Sequence, residues 1–194
     1  MGTKIVFRHG AMNSGKSLEL IKVAYNYNEN GIKTLIIKPQ IDSKLKNKII
    51  SRAGLQMDAI EIDENDVLSI EKILKKSSEK IILVEESNFL SKEVIDKIID
   101  TAYDNNIDSV MFFGLKVDFS GVLFEGSKRL IERADKIEES TSICWCGKKA
   151  RQNGRSVNGK LIKEGPTILI DIPENEVNYV MLCNYHYYKG DLGK

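Results

Sequence analysis

One octet constrains this chain more than any other stretch: Gly10-Ala11-Met12-Asn13-Ser14-Gly15-Lys16-Ser17, which satisfies the pattern G-x-x-x-x-G-K-[ST]. An apolar run, Ile5-Val6-Phe7, precedes it, and a helix-periodic run, Leu18, Leu20, Ile21, Ala24 and Tyr25, follows. Strand, loop and helix in that order favour a phosphate loop over a Gly-rich turn with no ligand. The glycines permit a tight turn whose backbone N–H groups surround phosphate oxygens, and the helix presents its positive dipole end to the same anion. In that arrangement Lys16 reaches the terminal phosphates and the Ser17 hydroxyl holds Mg²⁺.

The rest of the chain must fit around this unit. Its 194 residues suffice for one substantial domain, or a core domain plus a small appendage. Hydrophobic residues make up 42% and charged residues 29%, which predicts a packed core rather than disorder. With 29 basic against 28 acidic residues the chain has no global field to attract nucleic acid or an anionic membrane. No apolar run approaches the roughly 20 residues that span a bilayer. The first residues lack the apolar core of a signal peptide, and Val6 replaces the Ser or Thr of a myristoylation signal. A cytoplasmic protein with neither membrane nor nucleic acid as partner is expected.

Along the chain, Asn28 to Gly31 reads as a helix end and Lys33 to Pro39 as a second buried strand, parallel to the first. The basic stretch Ile41 to Lys48 reads as a solvated loop leading to Ser51-Arg52-Ala53-Gly54. Leu55 to Ile62 alternates like a strand, and Val67 to Lys76 has helical spacing. Lys80 to Val84 is a buried strand ending in Glu85-Glu86, which places two carboxylates where parallel strands converge on a phosphate loop. Ser91 caps a helix to about Tyr103, stopped by Asn105-Asn106. Ser109 to Gly114 is a further buried strand, Ser127 to Ala134 a helix, and Asp135 to Glu138 a last strand. Residues 1–140 thus form an α/β nucleotide-binding unit with a central parallel sheet.

Residues 141–194 differ, because Gly147, Gly154, Gly159 and Gly165 punctuate short strands such as Thr167 to Ile170. Three cysteines argue against a disulfide framework. Cys144-Trp145-Cys146 opens the region, and Cys183-Asn184-Tyr185-His186 closes it. Three thiolates and an imidazole complete a tetrahedral set with no open position, the structural kind of zinc site. The competing reading is three small buried hydrophobes and a surface histidine. His9, beside the phosphate loop, reads as structural.

Taken together these pieces resemble the type II thymidine kinases over nearly the whole chain. The loop Gly10 to Ser17, Asn26-Tyr27, Gly31, Ile41-Asp42 and Ser51-Arg52-Ala53-Gly54-Leu55 match family motifs in order. So does the run Gly114 to Phe124, and Ile143 to Gly147 resembles a bacterial branch that also uses C-x-C. The resemblance implies a RecA-like phosphate-loop domain with a small zinc-held lasso domain, usually a homotetramer, or otherwise a homodimer. It implies transfer of the γ-phosphoryl group of ATP, with Mg²⁺, to the 5′-hydroxyl of thymidine or deoxyuridine. Glu86 matches the catalytic acid. Gly10, Ala11, Met12, Asn13, Ser14, Gly15, Lys16, Ser17, Glu85 and Asn88 match the ATP and phosphate side. Met12, Arg52, Phe89, Phe119, Phe124 and Tyr179 match the nucleoside pocket, and Cys144, Cys146, Cys183 and His186 the structural zinc.

Five residues depart from the family pattern. Glu85 replaces an Asp, Asn88 a Gln, Lys44 an Arg with its bidentate capacity, and Glu174-Asn175 the lasso Gly-Gly. The last bears on base selection more than on phosphoryl transfer. Two alternatives therefore stand beside a thymidine kinase: a nucleoside kinase of altered base preference, and a non-catalytic ATP-binding relative that acts as a regulator.

Overall fold

The fold is that of a computed structural model, which describes residues 2–40, 46–167 and 177–193. The expectations at Ile41 to Lys44, the strand residues after Thr167, and Glu174-Asn175 lie outside these residues. In chain order the elements are β1 (Lys4–Gly10), α1 (Lys16–Glu29), β2 (Thr34–Pro39), β3 (Lys48–Ile50), β4 (Gln56–Asp58), β5 (Ile60–Ile62), α2 (Val67–Lys76) and β6 (Ile81–Val84). There follow a 3₁₀ turn at Ser87–Phe89, α3 (Lys92–Asp104), β7 (Ser109–Leu115), α4 (Glu125–Arg133) and β8 (Lys136–Ser140). The remainder comprises β9 (Ser142–Ile143), β10 (Lys149–Ala150), β11 (Gln152–Val157), β12 (Lys160–Ile162), β13 (Val177–Leu182) and α5 (Asn184–Lys189).

Six strands form one parallel sheet in the order β5-β2-β6-β7-β1-β8. Their carboxyl ends share one edge, so the octet after β1, Glu85-Glu86 after β6 and the run after β7 open on the same side. One strand, β7, separates the loop-bearing strand from the acid-bearing one.

The sheet is covered on both faces, and strand alternation sorts the side chains between two cores. Ile82 and Val84 of β6 join Ile70 and Leu74 of α2 and Val94, Ile95, Ile98 and Ile99 of α3. Ile81 and Leu83 join Leu20, Ile21 and Ala24 of α1 on the other face. Burial on both faces is why β6 reads as an unbroken apolar run. Truncating a fully buried residue such as Ile98 removes both its transfer energy and its packing, about 2–5 kcal/mol for a change to Ala.

Two helices carry side-chain caps, the expected one at Ser91 and a second at Asp66. Asp66 accepts from the backbone N–H groups of Leu68 and Ser69 at 3.1 and 3.0 Å, and Ser91 accepts from Val94. The expected strand over 55–62 divides instead at Ala59, whose N–H bonds to Asn47 O at 2.9 Å. Its first part pairs with β3 in a hairpin and its second joins the main sheet beside β2. The C-terminal region adds the pair β10-β9, the sheet β12-β11-β13, and a separate core of Cys144, Ala150, Leu182, Cys183 and Tyr187.

Candidate functional site

Gly15 enters α1 with φ +82°, a left-handed conformation that only glycine adopts freely, and α1 has no side-chain cap. Its first-turn N–H groups therefore point at whatever occupies the loop. Gly10 permits a second close approach, because a β-carbon there would strike Ser14 Oγ and lie 2.7 Å from Ser140 O. Lys16 folds over the loop and donates to Ala11 O at 2.9 Å. Burial lowers its pKa to about 8, against the pull of Glu85 and Glu86, so the ammonium stays charged at neutral pH.

Ser17 Oγ donates to Glu85 Oε1, joining α1 to the end of β6. Glu85 is buried, and its other oxygen has no hydrogen-bond partner among the described residues. A hydroxyl and a carboxylate with an orphaned oxygen, beside a phosphate loop, form an oxygen donor set that suits Mg²⁺.

Burial pushes the Glu85 carboxyl up to about 7, from 4.5. Between those values the folded protein holds a proton that the unfolded chain has released, so stability falls as pH rises through that window. Glu85→Gln cannot ionise. It is expected to be more stable than the wild type in metal-free buffer at about pH 8, by up to roughly 3 kcal/mol. That gain should close below about pH 4.5, where the wild-type carboxyl is neutral in both states. Thermal melts across pH check this, and equal stability at the higher pH would contradict it.

Glu86 takes φ +46°, a left-handed conformation that costs a non-glycine residue of order 1–3 kcal/mol and is held only where neighbours enforce it. The enforcing contacts follow it directly. Ser87 Oγ donates to Phe113 O at 3.0 Å, and Asn88 Oδ1 accepts from Leu115 N at 2.9 Å. Gly114 makes room for both, since a β-carbon there would lie 2.9 Å from each side-chain oxygen.

The result is a cleft of about 700 Å³ in which Met12, Lys16, Ser17, Glu85, Glu86, Asn88 and Phe89 face Arg52 from the tip of the β3–β4 hairpin. Phe124 packs edge-on against Phe89, with ring centroids 5.4 Å apart. Phe119 and Tyr179 do not line this cleft. They meet instead at Arg155, whose guanidinium lies 3.4 Å from the Phe119 ring centroid and donates to Tyr179 OH at 3.1 Å.

Two residues of β11 escaped sequence reasoning. Asn153 accepts from Met12 N at 2.7 Å and donates to Val117 O at 2.9 Å, tying the C-terminal region to the phosphate loop. Asn153 and Arg155 are polar residues on a buried strand, and nothing in Gln152-Asn153-Gly154-Arg155-Ser156 distinguishes it from a surface loop. His9 is half-buried beside Lys116, Glu139 and Arg151 against the back of the loop. Burial, then the charge of Lys116, lowers its pKa, which keeps it neutral as a packing group.

Cys144 and Cys146 sit on the turn of the β9–β10 hairpin, closed by Gly147 N–H on Cys144 O at 2.8 Å. Cys183 and His186 occupy the cap and first turn of α5. The four donor atoms lie within 4.8 Å of one another. His186 Nδ1 is 3.4 Å from Cys144 Sγ and 3.5 Å from Cys183 Sγ, and Cys146 Sγ is 3.9 Å from Cys183 Sγ. A tetrahedral zinc with bonds of about 2.3 Å to sulfur and about 2.0 Å to nitrogen requires edges of about 3.8 Å for S···S and about 3.5 Å for S···N. The cluster can hold zinc. Asp191 lies 3.9 Å from His186 Nε2, where an outer carboxylate orients a ligating imidazole, and Trp145 stacks on the ring at 4.3 Å.

Comparison with known proteins agrees with this geometry. A family model described as thymidine kinase matches residues 3–187. The thymidine kinase of Lactococcus lactis is 38% identical over 193 residues, covering 97% of this chain and 99% of that protein. That of Streptococcus pyogenes serotype M1 is 40% identical over 193 residues, with 97% and 99% covered. That of Legionella pneumophila (strain Lens) is 37% identical over 196 residues, with 98% and 92% covered. The matched span takes in the phosphate loop, the paired acids and the whole Cys₃His cluster, and the chain belongs to the thymidine kinase family.

Proposed function

We propose that the protein phosphorylates thymidine or deoxyuridine at the 5′-hydroxyl, with ATP as donor. The observation that carries this reading is Glu86, held in a left-handed conformation at the wall of a cleft it shares with Lys16, Ser17 and Glu85. ATP places its phosphates in the loop Gly10 to Ser17, against the N–H groups of α1 and the Lys16 ammonium. The nucleoside lies towards Met12, Phe89 and Arg52, with Phe124 packed on Phe89, while Phe119 and Tyr179 stand outside this cleft at Arg155. Its 5′-oxygen attacks the γ-phosphorus, Glu86 takes the hydroxyl proton, and the bond to the β–γ bridging oxygen breaks to release ADP. Lys16 and the loop N–H groups hold the charge that develops on the phosphate oxygens.

Ser17 and Glu85 would hold Mg²⁺, which supplies further neutralisation of that charge when bound. Asn88 fixes the start of the run after β7 through Leu115 N and so shapes the phosphate side. Zinc at Cys144, Cys146, Cys183 and His186 is structural, since four protein ligands leave no open position. Residues 1–140 are assigned to phosphoryl transfer and residues 141–194 to the zinc-held unit over the nucleoside. Assembly as a homotetramer belongs to the same proposal and is read by light scattering.

The test is phosphoryl transfer from ATP with Mg²⁺ to thymidine, deoxyuridine, deoxycytidine, deoxyguanosine and deoxyadenosine in parallel. The highest kcat/KM is expected for thymidine or deoxyuridine. A purine or deoxycytidine preference would mean a changed base selection, and nucleotide binding with no acceptor would favour the non-catalytic reading.

A further inference from the structure

Asn153 is buried, 3% exposed, and its side chain bonds to two segments that open on the cleft. Its Oδ1 accepts from Met12 N at 2.7 Å and its Nδ2 donates to Val117 O at 2.9 Å. A backbone donor on one side and a backbone acceptor on the other fix which way the amide points. The pairing of β1 with β7 ends at Gly10 opposite Leu115, and Met12 and Val117 stand two residues beyond those ends. The Asn153 amide therefore bridges the two segments where their own ladder has stopped. Met12 and Leu115 both line the cleft.

The peptide that Asn153 grips is one that Lys16 also holds. Ala11 O accepts from Lys16 Nζ at 2.9 Å and from Ser14 N at 3.3 Å, and the N–H of the same peptide, on Met12, is committed to Asn153. When Lys16 turns to the terminal phosphates it gives up Ala11 O. Asn153 sits on a strand outside the octet, and its grip on Met12 does not depend on that bond. The C-terminal region in turn sets Asn153, which stands opposite Met181 in the pairing of β11 with β13. Its neighbour Gly154 packs so close that a β-carbon there would lie 2.8 Å from Leu182 Cδ1, and Leu182 belongs to the core that holds Cys144 and Cys183.

We infer that Asn153 is a positioning residue for ATP: it braces the Ala11–Met12 peptide against the run after β7, so that the C-terminal region sets the shape of the phosphate loop before nucleotide arrives. This rests on the reading of Gly10 to Ser17 as the loop that receives the phosphates of ATP. The region assigned above to the nucleoside thereby acts on the phosphate donor as well. An apolar residue cannot replace Asn153, because it would leave the Met12 N–H and the Val117 carbonyl without the partners that hold them together.

The experiment compares wild type, Asn153→Leu and Asn153→Ser. For each it measures the equilibrium dissociation constant of ATP with Mg²⁺ in the absence of nucleoside, KM for thymidine at saturating ATP, zinc content and melting temperature. Leucine has the branched outline of asparagine and can bond to neither group, whereas serine keeps the site polar but is too short to reach both. The expected result is a rise in the ATP dissociation constant of about tenfold or more for Asn153→Leu and about threefold or more for Asn153→Ser, with thymidine KM within about twofold of wild type and zinc content unchanged. A role confined to holding the C-terminal region in place would instead lower zinc content and melting temperature and leave the folded protein with wild-type ATP affinity, and that result overturns the inference. Equal rises in the ATP dissociation constant and thymidine KM would overturn it too. If Asn153→Leu fails to melt cooperatively, Asn153→Ser decides, and unchanged ATP affinity there overturns it. Because binding is read without an acceptor, a wild type that binds ATP yet transfers to no nucleoside would overturn the proposed function alone, and the variants' ATP affinities would still decide the inference. A wild type that binds no ATP with Mg²⁺ would overturn both.

Discussion

Glu86→Gln is expected to lower kcat by about 10² to 10⁴, the usual contribution of a positioned general base, while leaving KM for ATP and the melting temperature close to wild type. The substitution keeps the shape of the side chain and removes its capacity to take a proton. The backbone at this position is held by Ser87 on Phe113 O and Asn88 on Leu115 N, so the cleft should keep its form. Steady-state kinetics with both substrates saturating check this result. A variant with near-full turnover would remove Glu86 from the proton transfer and leave Glu85 as the nearest candidate. Glu85 is poorly suited to that role, because one of its oxygens already accepts from Ser17.

Loss of the zinc ligands should have the other large effect. A closed Cys₃His site contributes of order 10 kcal/mol of apparent metal-binding free energy in small zinc domains, which is folding free energy when the site does not preform. Here the ligands join the β9–β10 hairpin to α5, and the core around them is small: Cys144, Ala150, Leu182, Cys183 and Tyr187. Cys183→Ser, or prolonged chelation, is expected to remove about one zinc per chain. Each kcal/mol lost shifts Tm by about 2–4 °C at this chain length, so a loss of several kcal/mol lowers it by about 10 °C or more. Thymidine phosphorylation should fall with it, because Tyr187 holds Phe119 O and Asn153 holds Met12 N from the same region. Metal analysis, melting and activity on the same samples check this. Protein purified without chelator that contains no zinc would contradict it.

What was legible in the sequence follows from how each element is stabilised. The strands β1, β2, β6 and β7 are buried on both faces and announce themselves as apolar runs, α2 shows itself by its helical spacing, and α3 carries Ser91 as its cap. The phosphate loop and the Cys₃His set are patterns of residue type at fixed spacing, and such patterns survive without knowledge of the fold. The β3–β4 hairpin was hidden because Lys48–Ile50 is a three-residue strand inside a basic stretch, stabilised by pairing with β4 rather than by periodicity. Helix α5 was hidden because Asn184–Lys189 is short and held through Cys183 and His186 instead of an amphipathic face. Asn153 and Arg155 were hidden for the opposite reason to β6. They are polar residues buried by tertiary hydrogen bonds, and only the partners, Met12, Phe119 and Tyr179, reveal their place.

The most direct test of the central claim is a single-turnover reaction of γ-labelled ATP and Mg²⁺ with thymidine, comparing wild type with Glu86→Gln. Wild type should move the label to the 5′-oxygen of thymidine with release of ADP, and Glu86→Gln should bind ATP equally well yet transfer it slower by about 10² or more. Label that stays on ATP with wild type, or that moves equally fast with both proteins, would contradict the assignment.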